Sequence, residues 1–166
     1  MSASPRRSAA AFALGILAAL TAGVLLNQST ASGASPSDLS LRYEGATFRY
    51  VDAPPLQGPD EFAPSPGDSF VLTNHLFRGK DKVGNLAATC AVVKGATVPE
   101  DSRLLCYGVY TLPGGTVSGI TTTRLGGANT VISITGGTGR YVGAQGVAVE
   151  HSTGEDTGTV HVDFTG

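Results

Sequence analysis

The 166-residue chain has no tryptophan, one methionine, 7% aromatic residues and only 14% charged ones. It also lacks long helix-forming stretches downstream of its first thirty-odd residues, and carries 23 glycines. Because a glycine inside a helix costs about 1 kcal/mol relative to alanine, this composition argues against a helical bundle and for strands and turns. The length leaves room for one modest domain and excludes a large multidomain enzyme. Basic residues are also few. The whole chain has a net charge of −2, and with Arg6 and Arg7 set aside, residues 35–166 hold 9 Lys+Arg against 13 Asp+Glu. No basic footprint for nucleic acid exists. Two cysteines and three histidines in all make a metal centre unexpected, and nothing in the chain asks for a cofactor.

What is present first is a leader. Arg6 and Arg7 precede an apolar run from Ala9 to Leu26, and the small-residue stretch Ser29–Ser35 follows. This pattern predicts a signal peptide over residues 1–34 with cleavage near 31–35, and therefore a secreted protein. The run is at the lower limit for crossing a ~30 Å hydrocarbon core, so membrane attachment would come only from an uncleaved leader.

Export places the rest of the chain in an oxidising compartment, where Cys90 and Cys106 are expected to pair. The strand pattern supports the bond: opposing the two cysteines across a hairpin also opposes Ala88 to Gly108, Leu86 to Tyr110 and Val92 to Leu104 on one face. The rival is a pair of reduced cysteines facing a cavity.

Apolar runs bounded by Gly, Pro, Asp and Asn predict strands over 41–51, 68–77, 82–94, 103–112, 116–124, 130–135, 145–152 and 158–164. The chain thus divides into a leader, a first strand with a proline-rich flap (35–66) and the main strands (67–166). The flap cannot be a central strand. The other links are short turns, which suit neighbouring antiparallel strands. An even set of antiparallel strands with no covering helices has exposed edges unless it closes, so the expected fold is an all-β, eight-stranded antiparallel barrel, with a sandwich as runner-up. In the last hairpin, alternation suggests that Val149 faces Val162, Val147 faces Phe164 and His151 faces Val160 on an apolar side. That leaves Glu150, His161 and Asp163 on a solvent-facing polar side.

From Gly67 onward the residues resemble the allene oxide cyclase and dirigent superfamily of barrels. Gly67-Asp68-Ser69-Phe70-Val71-Leu72-Thr73-Asn74-His75-Leu76-Phe77 resembles a family segment, as does Val83-Gly84 followed by Thr89-Cys90-Ala91-Val92. The block Thr135-Gly136-Gly137-Thr138-Gly139-Arg140-Tyr141, with Gly143-Ala144-Gln145-Gly146, resembles another. Taken alone, that block reads as a tight turn with glycines at positive φ.

The resemblance implies a cofactor-independent isomerase or cyclase that binds a small hydrophobic molecule in its lumen, and it implies a homotrimer. Asn74 matches a family asparagine that holds a water, Cys90 a cavity cysteine, and Tyr43-Glu44 a Tyr-Glu pair on the first strand. Asp52 with Pro54 lies near a family Ser-Pro at the mouth. Two positions after Glu44 a second family asparagine is replaced by Ala46. Against dirigents, Val142 stands where a cavity arginine is usual. The candidate catalytic residues are therefore Asn74, Glu44 and Asp52. The candidate ligand contacts are Phe70, Leu72, Leu76, Tyr107 and Tyr110. The alternative from another class is a non-catalytic secreted binding or surface protein on the same scaffold.

Overall fold

A computed structural model describes residues 36–56, 62–154 and 156–165. The predicted leader lies outside the described residues, as does part of the proline-rich flap. Eight strands follow one another: β1 (Leu39–Val51), β2 (Ser69–Arg78), β3 (Asp81–Lys94), β4 (Arg103–Leu112), β5 (Gly115–Arg124), β6 (Asn129–Gly137), β7 (Gly146–Ser152) and β8 (Thr157–Phe164). They form a closed barrel in chain order, and no strand end departs from its expected position by more than two residues. β1 pairs antiparallel with β8, from Leu39↔Val162 to Glu44↔Thr157, so the sheet has no free edge there. Among the described residues the only helices are single 3₁₀ turns, Pro99–Asp101 and Gly139–Tyr141.

One end of the barrel, called the lower end here, holds the β2–β3, β4–β5 and β6–β7 connections. It is packed solid by inward side chains including Leu39, Leu76, Val117, Ile134, Val160 and Val162. Burial of each such side chain contributes about 1.5–3 kcal/mol. Tyr141 tucks into this end and stacks on Phe164 with ring centroids 6.0 Å apart. The glycine block forms the connection: Gly139 sits at φ +60°, and a Cβ there would be 2.0 Å from the Gly114 carbonyl oxygen, so only glycine fits.

At the upper end a second cluster joins Phe70, Cys90, Val92 and Leu104. The Cys90–Cys106 disulfide is formed, and the register pairs Cys90↔Cys106, Ala88↔Gly108, Leu86↔Tyr110 and Val92↔Leu104 as the alternation required. Asp68 is fully buried beside this cluster. Its carboxylate accepts hydrogen bonds from the Tyr50 hydroxyl (2.6 Å) and from the backbone N–H groups of Ala53 (2.8 Å) and Ser65 (2.6 Å). Burial pushes the Asp68 carboxyl up, but these hydrogen bonds outweigh it and its pKa falls below the ordinary value. One carboxylate thus pins both ends of the proline-rich flap to the barrel.

The last hairpin corrects the expected faces. β7 and β8 pair as Ala148↔Val162 and Glu150↔Val160, with Val149 opposite His161. Glu150 therefore points into the barrel, while Val147 and Val149 are on the outer face, 40% and 38% exposed. Two constraints set this register. The turn closes with the Thr153 N–H donating to the Thr157 carbonyl, and the small Ala148 is completely buried in the lower core.

The disulfide closes a sequence separation of 16 residues. Replacing both cysteines by alanine is expected to lower the unfolding free energy by about 3 kcal/mol in the chain-entropy account, read by urea denaturation of the oxidised and variant proteins.

Candidate functional site

The upper half of the barrel encloses a cavity of about 640 Å³, open between the β5–β6 and β7–β8 turns. Its space comes from small residues at inward positions: Ala88, Gly108 and Gly119 stand where β3, β4 and β5 would otherwise project large side chains. A Cβ at Gly119 would lie 2.5 Å from Ile132 Cγ2. Leu72, Leu86, Leu104 and Ile132 make the wall apolar, and the Cys90–Cys106 disulfide is part of it. Thr121, Thr123 and Thr130 add hydroxyls.

Polar chemistry converges on β7. The Tyr110 hydroxyl donates to Glu150 Oε1 at 2.7 Å, and Tyr110 itself is buried in the core below. Beside them Tyr43 Oη and Ser152 Oγ are 3.1 Å apart. The Tyr43 ring can lie there because Gly158 has no side chain; a Cβ would be 2.5 Å from the Tyr43 hydroxyl. Burial pushes the Glu150 carboxyl above the usual glutamate range, and the hydrogen bond from Tyr110 only partly offsets it. Burial, the Glu150 charge and their hydrogen bond push the Tyr110 hydroxyl well above its ordinary value. Tyr43 is raised as well, chiefly by burial. A carboxyl whose pKa is raised by burial, in hydrogen-bond contact with a tyrosine and facing a cavity, is equipped to give or take a proton.

Asn74 lines the opposite wall, and among the described residues nothing is hydrogen-bonded to its side-chain amide. Leu72 and Tyr110 also line the cavity. Phe70 and Leu76 are buried in the packed clusters and do not reach it. Tyr107 is on the outer face, 48% exposed, because it alternates with Cys106 and Gly108. Alternation places Tyr43 inside and Glu44 outside, where Glu44 is ion-paired with Arg42. Asp52 lies just past β1 near the Tyr50–Asp68 pair and is absent from the cavity lining. His161 bridges Ser40 and Asp163 on the outer face and is absent from the cavity lining.

Glu150 was missed by the reading of the last hairpin in isolation. The signal available for it was the size of Ala148: a small residue two positions before, in the face that a crowded core would select.

The fold is that of the cyclase and dirigent-like eight-stranded barrels. One similar solved structure is a pyocyanin demethylase, with 19% identity and a TM-score of 0.66; the match covers 78% of this chain and 100% of that one. A Diels–Alderase from Streptomyces koyangensis is 19% identical with a TM-score of 0.61, over 77% of this chain and 63% of the enzyme. A pterocarpan synthase dirigent protein is 18% identical with a TM-score of 0.57, over 77% and 92%. No family model and no curated protein matches the sequence.

Because the Glu150 pKa is higher in the folded chain than in the unfolded one, its ionisation opposes folding. The opposition is absent below the unfolded value of about 4.3 and grows as pH rises through and above it. Glu150→Gln is therefore expected to be more stable than the parent at pH 7 and equal to it at pH 4, checked by urea unfolding at both.

Proposed function

We propose that this chain is an exported barrel that binds a small hydrophobic molecule in its upper cavity, and that the cavity promotes a cofactor-independent isomerisation or cyclisation of that guest. The single observation that carries this reading is the Tyr110–Glu150 pair at the base of an otherwise mostly apolar cavity of about 640 Å³. The wall orients the guest and excludes water, and Glu150 moves one proton to or from a polar atom of it. Asn74 supplies a second polar contact from the facing wall. Glu44 and Asp52, outside the cavity lining, are given no part in the chemistry. The similar solved structures include a Diels–Alderase and a cyclase that catalyses a [4 + 2] cycloaddition, which supports a barrel of this kind as a host for ring closure.

A carrier without turnover is the second reading, favoured by Ala46 in the position of a family asparagine. Export is supported by the disulfide and by the leader pattern. Assembly into a homotrimer is supported by the outer face of β4 to β7, where Leu105, Tyr107, Ile120, Val131 and Val149 are all at least 38% exposed.

The binding claim is tested with the neutral dye N-phenyl-1-naphthylamine. Its fluorescence should rise saturably with the parent protein and not with Ala88→Phe, whose ring fills the cavity while far-UV circular dichroism reports an intact fold. Absence of a saturable rise with the parent defeats the reading. For catalysis, a guest extracted from the exported protein should be converted on re-incubation, and about 100-fold more slowly by Glu150→Gln. A guest recovered unchanged identifies a carrier.

A further inference from the structure

We infer that the guest of this cavity carries a cationic or N–H-donating group and not a carboxylate; this rests on the cavity being the binding site proposed above. The charges that face the cavity are one-sided. Glu150 stands at its base, and Asp156, from the turn before β8, stands at its mouth. Arg124 is the only basic side chain among the described lining residues, and its guanidinium is bonded to Asp101 at 3.2 Å, a residue outside the lining.

The hydroxyls add to the bias, because most of their protons are already engaged. Tyr110 donates to Glu150, Tyr43 and Ser152 share a hydrogen bond, Thr123 and Thr130 share another at 3.1 Å, and Thr121 donates to the Val131 carbonyl at 2.6 Å. What the lining has left to offer is mainly acceptors: the Asp156 carboxylate, hydroxyl lone pairs and, once Glu150 has given up its proton, its second oxygen. Asn74 brings a donor with no partner among the described residues, and the Tyr43–Ser152 pair keeps one hydroxyl proton.

A guest carboxylate entering this space would lose its water and meet two carboxyl groups, while the one guanidinium of the lining is already ion-paired with Asp101. An aromatic or alicyclic amine, or a protonated ring nitrogen, would instead find Glu150 as its partner in a site of low effective dielectric, where a charge pair is worth far more than in water. Such a guest would also draw the proton from Glu150, so binding and ionisation of the carboxyl are coupled. Tyr110, Tyr43 and Ser152 are the groups that face Glu150 from the neighbouring positions in the barrel.

The test uses three ligands with one ring system: neutral acridine, 9-aminoacridine, which is a cation near neutral pH, and acridine-9-carboxylate. Each is titrated by fluorescence against the full chain at neutral pH and about 0.15 M salt. The expected order is the cation about tenfold tighter than acridine, and the carboxylate about tenfold weaker than acridine, with the order collapsing in Glu150→Gln/Asp156→Asn. Carboxylate binding as tight as the cation overturns the inference. So does a cation preference that persists in the double variant, since it would then come from the acidic outer surface. Acridine bound with no charge preference defeats only this inference, whereas failure of all three ligands together with N-phenyl-1-naphthylamine defeats the binding reading itself.

Discussion

Closure of the sheet between β1 and β8 is the constraint on which the other features depend. Once Leu39 pairs with Val162 and Leu41 with Val160, every strand must show alternate residues to a shared interior. The sizes of those inward residues then decide what is solid and what is hollow. Leucine, isoleucine, valine and tyrosine fill the lower half, whereas Ala88, Gly108 and Gly119 leave space above. The cavity is thus a consequence of inward glycine and alanine at one level of the barrel, with no change in backbone topology required.

The same closure sets the electrostatics. A carboxyl on a flat sheet would be solvated and ordinary; on the inner face of a closed one, Glu150 loses water and gains the Tyr110 hydroxyl as its partner. Glycine again does the positioning, since Gly158 lets the Tyr43 ring settle beside β7 and brings its hydroxyl to Ser152. Asp68 is the contrasting buried carboxyl. Surrounded by three donors, it is stabilised in its charged form and serves as a structural anchor. One buried and one part-buried acid in this small barrel therefore have opposite pKa shifts, and the number of donors facing each one explains the difference.

The disulfide belongs to the wall and to the chemistry at once. Cys90 and Cys106 occupy facing inward positions, so their bond both ties β3 to β4 and lines the cavity with sulfur that has no thiol proton to give. Proton transfer in the cavity is left to Glu150 and the tyrosines.

Local pattern was enough for the strand positions, the proline-rich break after β1, the β3–β4 register with its disulfide, and the presence of Asn74 and Leu72 on one face of β2. These follow from periodicity two, from turn residues and from cross-strand pairing between neighbours in the chain. The face of β7 was different. Val147, Val149 and the apolar residues of β8 invite one another when the hairpin is considered alone, but in the closed barrel the small Ala148 is the residue buried in the lower core, and Glu150, two positions on, shares its inward face. Glu44 likewise shares a strand with Tyr43, yet the barrel takes the tyrosine inside and leaves the acid paired with Arg42 outside. Elements were decided by short-range chemistry along the chain. Which carboxyl meets the cavity was decided by volume and register around the whole ring, because a shift of one residue exchanges the two faces of a strand.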